Sequence, residues 1–149
     1  MKNYSLRIFL MFSFLAILTT ASAYAQSSNE QTANIPFSFI VGSKTFPAGE
    51  YRVTRLNPQS DKAALAIKSA DGRLSKIVLT TPVQAAETAE RAKLIFNRYG
   101  DQYFLVQVWT PADDTGLELP KSRSERTLAR HAGENRAERV AIALGARRR

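Results

Sequence analysis

The sequence predicts a mainly β domain, either an antiparallel β-sandwich or a partly open barrel of about seven short strands, followed by a helical, Arg-rich tail. Three observations predict this fold class. Several short runs place apolar residues at every second position. The dipeptides Asp71-Gly72 and Gly100-Asp101 separate pairs of such runs, as hairpin turns do. The chain has no cysteine, so packing and strand pairing must hold the domain together without disulfides.

The N-terminus has the consecutive parts of a cleavable secretory signal peptide: a basic start, an apolar run and a cleavage site with small residues. Two basic residues precede an apolar run at residues 8–18, and Ala23-Tyr24-Ala25 precedes Gln26. We expect cleavage between Ala25 and Gln26, with Ala21-Ser22-Ala23 as a second candidate two residues earlier. The apolar run is shorter than the roughly 20 residues of a membrane-spanning helix. The sequence therefore predicts an exported protein, periplasmic or secreted, rather than one held by a retained anchor.

The remaining residues suit a single domain. We expect four segments: the signal peptide at residues 1–25, a flexible lead-in at 26–34, a β domain at 35–120 and a basic tail, helical or partly disordered, at 121–149.

The first predicted strand is defined by alternation. Ile35, Phe37, Phe39 and Val41 point to one face, and Pro36 indicates that the strand starts at, or lies along, a sheet edge, because proline cannot donate to a ladder. A turn at residues 42–43 would return the chain and place Phe46 beside Phe39. After a second turn at residues 47–49, residues 51–54 alternate again and predict the next strand.

Two hairpins follow. The Asp71-Gly72 turn is expected to be of type I′, with Leu65 opposite Val78 and Ala66 opposite Ile77. The Gly100-Asp101 turn is expected to be of type II′ and to form the central hairpin. Its predicted cross-strand pairs are Arg98–Tyr103, Phe96–Leu105 and Ala92–Trp109 on one face, and Ile95–Val106, Asn97–Phe104 and Lys93–Val108 on the other.

The tail predicts two helical segments. Ser122 and Glu125 form the Ser-x-x-Glu pattern of a capping box. Residues 134–144 return to helical spacing and end before Gly145.

Charge is concentrated in that tail. Of the net charge of +8, the nine basic and three acidic residues from Lys121 onward contribute +6, whereas residues 26–120 hold ten of each sign. Since residues 26–120 carry no net charge and the chain is expected outside the cytoplasm, we do not expect nucleic acid as a partner. The tail arginines are instead candidates for contact with an anionic surface: Arg123, Arg126, Arg130, Arg136, Arg139, Arg147, Arg148 and Arg149. The alternative is a solvated tail without a partner.

A second candidate set lies on the central hairpin. Exposed aromatic side chains beside an arginine can bind a sugar or a peptide, and the residues that would do so are Arg98, Tyr99, Tyr103 and Trp109. The alternative is that these aromatic rings fill the core.

Catalysis and metal binding have little support in the sequence. The one histidine, His131, lies in the charged tail, and there is no cysteine, so no nucleophilic triad or His/Cys metal site is expected. Asp113, Asp114 and Glu118 are the nearest approach to a calcium loop, but their spacing differs from that of an EF-hand, and a plain turn is the other interpretation. We expect no cofactor.

Three stretches resemble a family of small exported bacterial proteins with no assigned function. They are residues 35–51 (IPFSFIVGSKTFPAGEY), 98–105 (RYGDQYFL) and 108–123 (VWTPADDTGLELPKSR). The resemblance covers roughly residues 35–130 and implies export and a single domain. It implies no catalytic or binding residue.

These observations favour a non-catalytic binding or interaction module of the cell envelope, tethered by its tail to an anionic envelope polymer, a membrane surface or an envelope protein. One alternative is an envelope enzyme using loop carboxylates, which two carboxylates gathered in a cleft, with one desolvated, would favour. Another is a structural subunit that associates by β-strand addition, for which the early strand containing Pro36 is the candidate.

Overall fold

The computed structural model describes residues 30–57, 63–85, 91–110, 115–132 and 137–146. Within these ranges the chain forms twelve strands and one helix. Their bounds are β1 Glu30–Ile35, β2 Phe39–Val41, β3 Lys44–Phe46, β4 Gly49–Leu56, β5 Ala64–Ser69, β6 Ser75–Leu79, β7 Thr81–Gln84, β8 Lys93–Tyr99, β9 Gln102–Trp109, β10 Thr115–Glu118, α1 Arg123–Ala132, β11 Glu138–Ala143 and β12 Gly145–Ala146.

The strands form two sheets. Sheet I has the order β12-β1-β4-β5-β6, and sheet II has the order β11-β8-β9-β10-β7. The short hairpin β2–β3 joins sheet II through a parallel pairing of β2 with β9, while the other pairings are antiparallel. The predicted fold class is confirmed: the described ranges are mainly β, and within them the chain forms two sheets and one short C-terminal helix and closes no barrel.

The strands outnumber the predicted seven partly because the chain changes sheet at short breaks. One break lies at residues 36–38, so the single strand predicted from Ile35 to Val41 is divided into β1 and β2. A second lies at Thr80, whose amide and hydroxyl both donate to the Ala63 carbonyl, at 2.9 and 2.6 Å. A third lies at Leu144, whose amide donates to the Ala92 carbonyl at 2.9 Å.

Strand β1 begins earlier than the sequence predicted. Residues 30–34, expected to belong to a flexible lead-in, pair with β4, and Ala33 lies opposite Tyr51. Ala33 and Ile35 are both buried, so the inward alternation extends upstream. The polar residues around Ala33 concealed this alternation in the sequence.

The core lies between the two sheets and is rich in aromatic rings. Phe39 packs against Phe46, Tyr51 and Phe96, with ring centroids 5.0–5.5 Å apart. The predicted neighbours Phe39 and Phe46 are directly opposed on β2 and β3. The buried side chains of this cluster are Ala33, Ile35, Phe39, Val41, Phe46, Tyr51, Val53, Ala63, Leu65, Ile67, Ala92, Leu94, Phe96, Leu105, Val108, Leu117, Leu119 and Leu144.

The hairpin of β5 and β6 has the predicted register. Leu65 lies opposite Val78 and Ala66 opposite Ile77. The turn type is different, however. A type I′ turn needs positive φ at both central residues, and of Asp71 and Gly72 only Gly72 has it, at 74°. Asp71 instead accepts hydrogen bonds from the Ser69 hydroxyl and the Arg73 amide, which fixes a longer loop.

The central hairpin has the predicted register only near its turn. Gly100 has the positive φ, 59°, that the first position of a type II′ turn requires. The pairs Arg98–Tyr103, Asn97–Phe104 and Phe96–Leu105 are as predicted. A β-bulge between Ile95 and Phe96 then shifts the pairing. The remaining three predicted pairs are therefore wrong, and the observed ones are Ile95–Gln107, Leu94–Val108 and Lys93–Trp109.

The tail is folded into the sheets. The first predicted helix is present as α1, but the second, at residues 134–144, is wrong. Glu138–Ala143 form β11, which pairs with β8, and β12 pairs with β1. The apolar residues of this segment fit both a strand and a helix, since Val140, Ile142 and Leu144 have a period of two and also match part of a helical pattern. The strand forms because it pairs with the edge of β8, which would otherwise be open.

Candidate functional site

Helix α1 covers the outer face of sheet II. Ser122 caps the helix, and its hydroxyl accepts a hydrogen bond from the Glu125 amide at 3.1 Å. The side chains of Glu125 and Ala129 are buried. Phe104 is also buried but lies outside the main core cluster. Since it is directly opposite Asn97, which contacts the helix, Phe104 belongs to this second, outer layer.

Glu125 fixes the helix to the sheet. It is only 2% exposed, and its Oε1 accepts a hydrogen bond of 3.1 Å from Nδ2 of Asn97 on β8. Burial raises the pKa of the Glu125 carboxyl above its usual value, although the Asn97 hydrogen bond and nearby Lys121 act in the opposite direction. The capping box made Glu125 recognisable as a helix-start residue. No sequence signal indicated its contact with Asn97.

The opposite face of α1 carries a stripe of arginines. Arg123, Arg126 and Arg130 are all exposed. Their spacing of three and four residues places them on one side of the helix, away from Glu125 and Ala129. Within the described ranges, no salt bridge involves any of the three. We call these three residues the arginine stripe.

The other predicted anion-contact residues are placed differently. Arg139 lies exposed on β11. Arg136, Arg147, Arg148 and Arg149 lie outside the described residues.

The structure divides the four residues of the predicted aromatic site among three places. Arg98 is opposite Tyr103, as predicted, and lies over its ring at 5.5 Å, and Tyr103 stacks on Phe37 with centroids 3.9 Å apart. Arg98 also forms an ion pair of 3.2 Å with Glu138. Tyr99 contacts Phe104 on the other face of the hairpin, at 5.9 Å.

Trp109 lies at the far end of the same hairpin and is buried. Its ring is 7% exposed and packs over Gly116 on β10. Its Nε1 donates to Oε1 of Gln107 at 3.2 Å, and Nε2 of Gln107 donates to Glu118 at 3.1 Å. Trp109 therefore packs inside the domain and does not belong to an exposed row of aromatic rings. The sequence could have indicated this only if the register of β9 and β10, which brings Gly116 beside the Trp109 ring, had been known.

A cleft of about 240 Å³ lies at one end of sheet I, and residues 47–51, 69–71 and 74 line it. Two of these residues, Glu50 and Asp71, are carboxylates, and both are exposed rather than desolvated. The buried carboxylate, Glu125, lies elsewhere, between α1 and sheet II, where nearby Glu118 raises its pKa further. Of the three predicted calcium-loop residues, Asp113 and Asp114 lie outside the described residues. Among the residues that the structure does describe, no three potential metal ligands come together.

The part of the chain that is described contains no helix with the length and apolar character needed to cross a bilayer. Comparison with known proteins finds no matching family model, no similar curated protein and no similar solved structure.

Proposed function

We propose that this chain is an exported, non-catalytic interaction module of the cell envelope, and that it contacts an anionic envelope component through the arginine stripe of α1. The observation that carries the proposal is the arrangement of Arg123, Arg126 and Arg130 on the exposed side of a helix whose other side is fixed to sheet II. Because the helix is anchored, the three guanidinium groups are presented together without the cost of ordering a free tail.

The chemistry of the stripe favours a phosphate or carboxylate surface. Arginine presents a planar fork of donors that suits both anions. The exposed side of the helix also carries Thr127 and Ser124 but no large apolar side chain, so the contact would be electrostatic rather than an insertion into lipid. Each arginine near an anionic surface contributes about 1 kcal/mol.

The proposal is tested with charge changes rather than with truncation. Deleting the tail would remove β11 and β12 as well as the charge. We expect purified protein to bind vesicles containing anionic phosphatidylglycerol and not vesicles of neutral phosphatidylcholine. Replacing all three stripe arginines with glutamine should weaken binding by about 100-fold at low salt, and added salt should weaken the unchanged protein in the same direction.

The matched control removes the same charge elsewhere. Lys44, Lys68 and Lys76 lie around strands β3, β5 and β6, and their triple glutamine variant should bind vesicles almost as well as the unchanged protein. Equal losses in the two triple variants would contradict the proposal, because they would show a response to net charge alone. Full retention of binding by the arginine variant would also contradict it.

A further inference from the structure

Strand β6 is the edge of sheet I and presents backbone groups that no described strand pairs with. It is the last strand in the order β12-β1-β4-β5-β6. The amides of Ser69 and Thr80 donate to the carbonyls of Leu74 and Ala63, so these two cross-strand pairs are hydrogen-bonded. Hydrogen-bonded and non-hydrogen-bonded pairs alternate in an antiparallel ladder, which makes the pairs of Ile77 and Leu79 non-hydrogen-bonded. The N–H and C=O groups of Ile77 and Leu79 therefore point away from β5, toward the free side.

The side chains of the same two residues are exposed. Ile77 is 62% and Leu79 is 69% exposed, and both lie on the outer face of sheet I. Their cross-strand neighbours on that face are the small residues Ala66 and Ala64, so no large side chain of the paired strand β5 shields them. Proteins usually protect such an edge with a charge, a proline or a bulge, and the sequence from Ile77 to Leu79 contains none of the three.

Positive charge borders this edge. Lys44 donates from Nζ to the Ser75 carbonyl at 3.2 Å, Lys68 lies opposite Ser75, and Lys76 belongs to β6 itself. Neither β5 nor β6 contains an acidic residue. The edge is therefore apolar at its Leu79 end and cationic at its Ser75 end.

We infer that β6 binds an extended segment of a partner protein by strand addition, and that this segment carries apolar residues at alternate positions and acidic residues beside Ser75. The main chain of the segment would bond to the N–H and C=O groups of Ile77 and Leu79, with which no described strand pairs, and these bonds supply affinity without a deep pocket. Its apolar side chains would cover Ile77 and Leu79, and its carboxylates would meet Lys44 and Lys68. The inference is independent of the arginine stripe, which lies on α1.

Charge decides between this partner and a second copy of the chain. Two β6 strands paired antiparallel about Ile77 would add a second set of lysines to the same edge and no carboxylate from β5 or β6. An acidic and apolar segment neutralises those lysines.

The test measures the binding of fluorescently labelled peptides by fluorescence anisotropy. The peptides have about ten residues, which is longer than β6. A peptide with valine at the positions beside Ile77 and Leu79, glutamate at the next two positions on the same face, beside Ser75 and beyond, and threonine between them should bind. A peptide of the same length with lysine in place of glutamate should bind at least about tenfold more weakly. The glutamate peptide should also bind at least about tenfold more weakly to the variant in which Lys44, Lys68 and Lys76 are all replaced with glutamine.

Two variants test the edge itself. Ile77→Pro removes the outward N–H without removing a β5–β6 hydrogen bond, and Leu79→Glu places a charge of the same sign as the peptide on an exposed position where the fold tolerates it. Both should lose peptide binding, and the circular dichroism melt of Leu79→Glu should match that of the unchanged protein. The arginine-stripe variant should keep peptide binding, so a failure here is distinguishable from a failure of the proposed function.

Two results would overturn the inference. One is peptide binding that survives Leu79→Glu. The other is a concentration-dependent dimer of the unchanged protein that Ile77→Pro abolishes, which would make a second copy the occupant of the edge.

Discussion

Asn97 donates a hydrogen bond to Glu125 across 28 residues of sequence and thereby fixes α1 to β8. The contact combines a buried carboxyl with a neutral amide, so the amide supplies no positive charge to offset the burial of the ionised carboxylate.

Glu125→Gln should remove a pH dependence of stability. Because the pKa of the Glu125 carboxyl is raised in the folded state, that state binds its proton more tightly than the unfolded chain does. The free energy of unfolding of the unchanged protein should therefore fall as the pH rises from the usual value of 4.5 through the raised pKa, relative to the glutamine variant. Urea unfolding of both proteins across this range measures the difference. Glu50→Gln, at an exposed glutamate, is the control, and a difference between Glu125→Gln and the unchanged protein that stays constant with pH would contradict the prediction.

Gly116→Ala should destabilise the domain by about 1–3 kcal/mol, the usual cost of overpacking. A Cβ at this position would lie 2.7 Å from three atoms of the Trp109 ring. The control is Gly145→Ala, where the nearest atoms are 3.9 Å away. Thermal melts compare the two variants. Similar melting temperatures would show that the Trp109 ring can move, and the double variant Gly116→Ala, Trp109→Phe should recover part of the loss.

Thr80→Val should cost about 1 kcal/mol or more, because it removes a buried hydroxyl that donates to the Ala63 carbonyl. Thr80→Ser keeps the hydroxyl and should lose less. Chemical denaturation of both variants provides the measurement. A serine variant as unstable as the valine variant would assign the role to the methyl group instead.

A chain ended after Ala132 should fail to form a stable monomer. It lacks β11 and β12, which exposes the edge of β8 and removes the buried Leu144. Size-exclusion chromatography and circular dichroism should show aggregation or loss of the cooperative melt. A monomeric, cooperatively folding truncated chain would contradict this and would support the tail as a separate segment.

Export should cut the chain after Ala25, or two residues earlier, after Ala23. Intact mass spectrometry of the protein recovered from outside the cytoplasm identifies the first residue. Ala25→Arg should move the cut to the earlier position or block it, since the cleavage site requires small residues. A mature protein beginning at Met1 would contradict the export proposal.

The sequence predicted the fold class and most local pairing because both depend on nearby residues. Alternation identified the buried faces of β2 and β4, and the two turns fixed the register beside them. The bulge at Ile95–Phe96 could not be predicted, since it depends on how the whole of β9 fits between its neighbours. The helical prediction for residues 134–144 failed for the same reason: local spacing allowed both structures, and pairing with the distant β8 decided.

The candidate site was less predictable than the fold. The capping box identified the start of α1, and helical geometry then places the arginine stripe on one side. The exposure of the edge formed by Ile77 and Leu79 could not be predicted from the sequence. Alternation in a strand shows which side chains share a face, but it does not show whether another sheet covers that face. The predicted candidate for strand addition was the early strand containing Pro36. The structure divides that strand at residues 36–38 into β1, which lies between β4 and β12, and β2, which pairs with β3 and β9.

The pairing of Gln31 with Ala146 joins the two ends of the described chain in one sheet. Sheet I therefore lacks the edge strand β12 until residues 145 and 146 have been synthesised. Sequence separations of this size slow the search for the native arrangement. If the chain is exported as proposed, completing this sheet only after translocation would make the folded domain too wide to pass back through the channel.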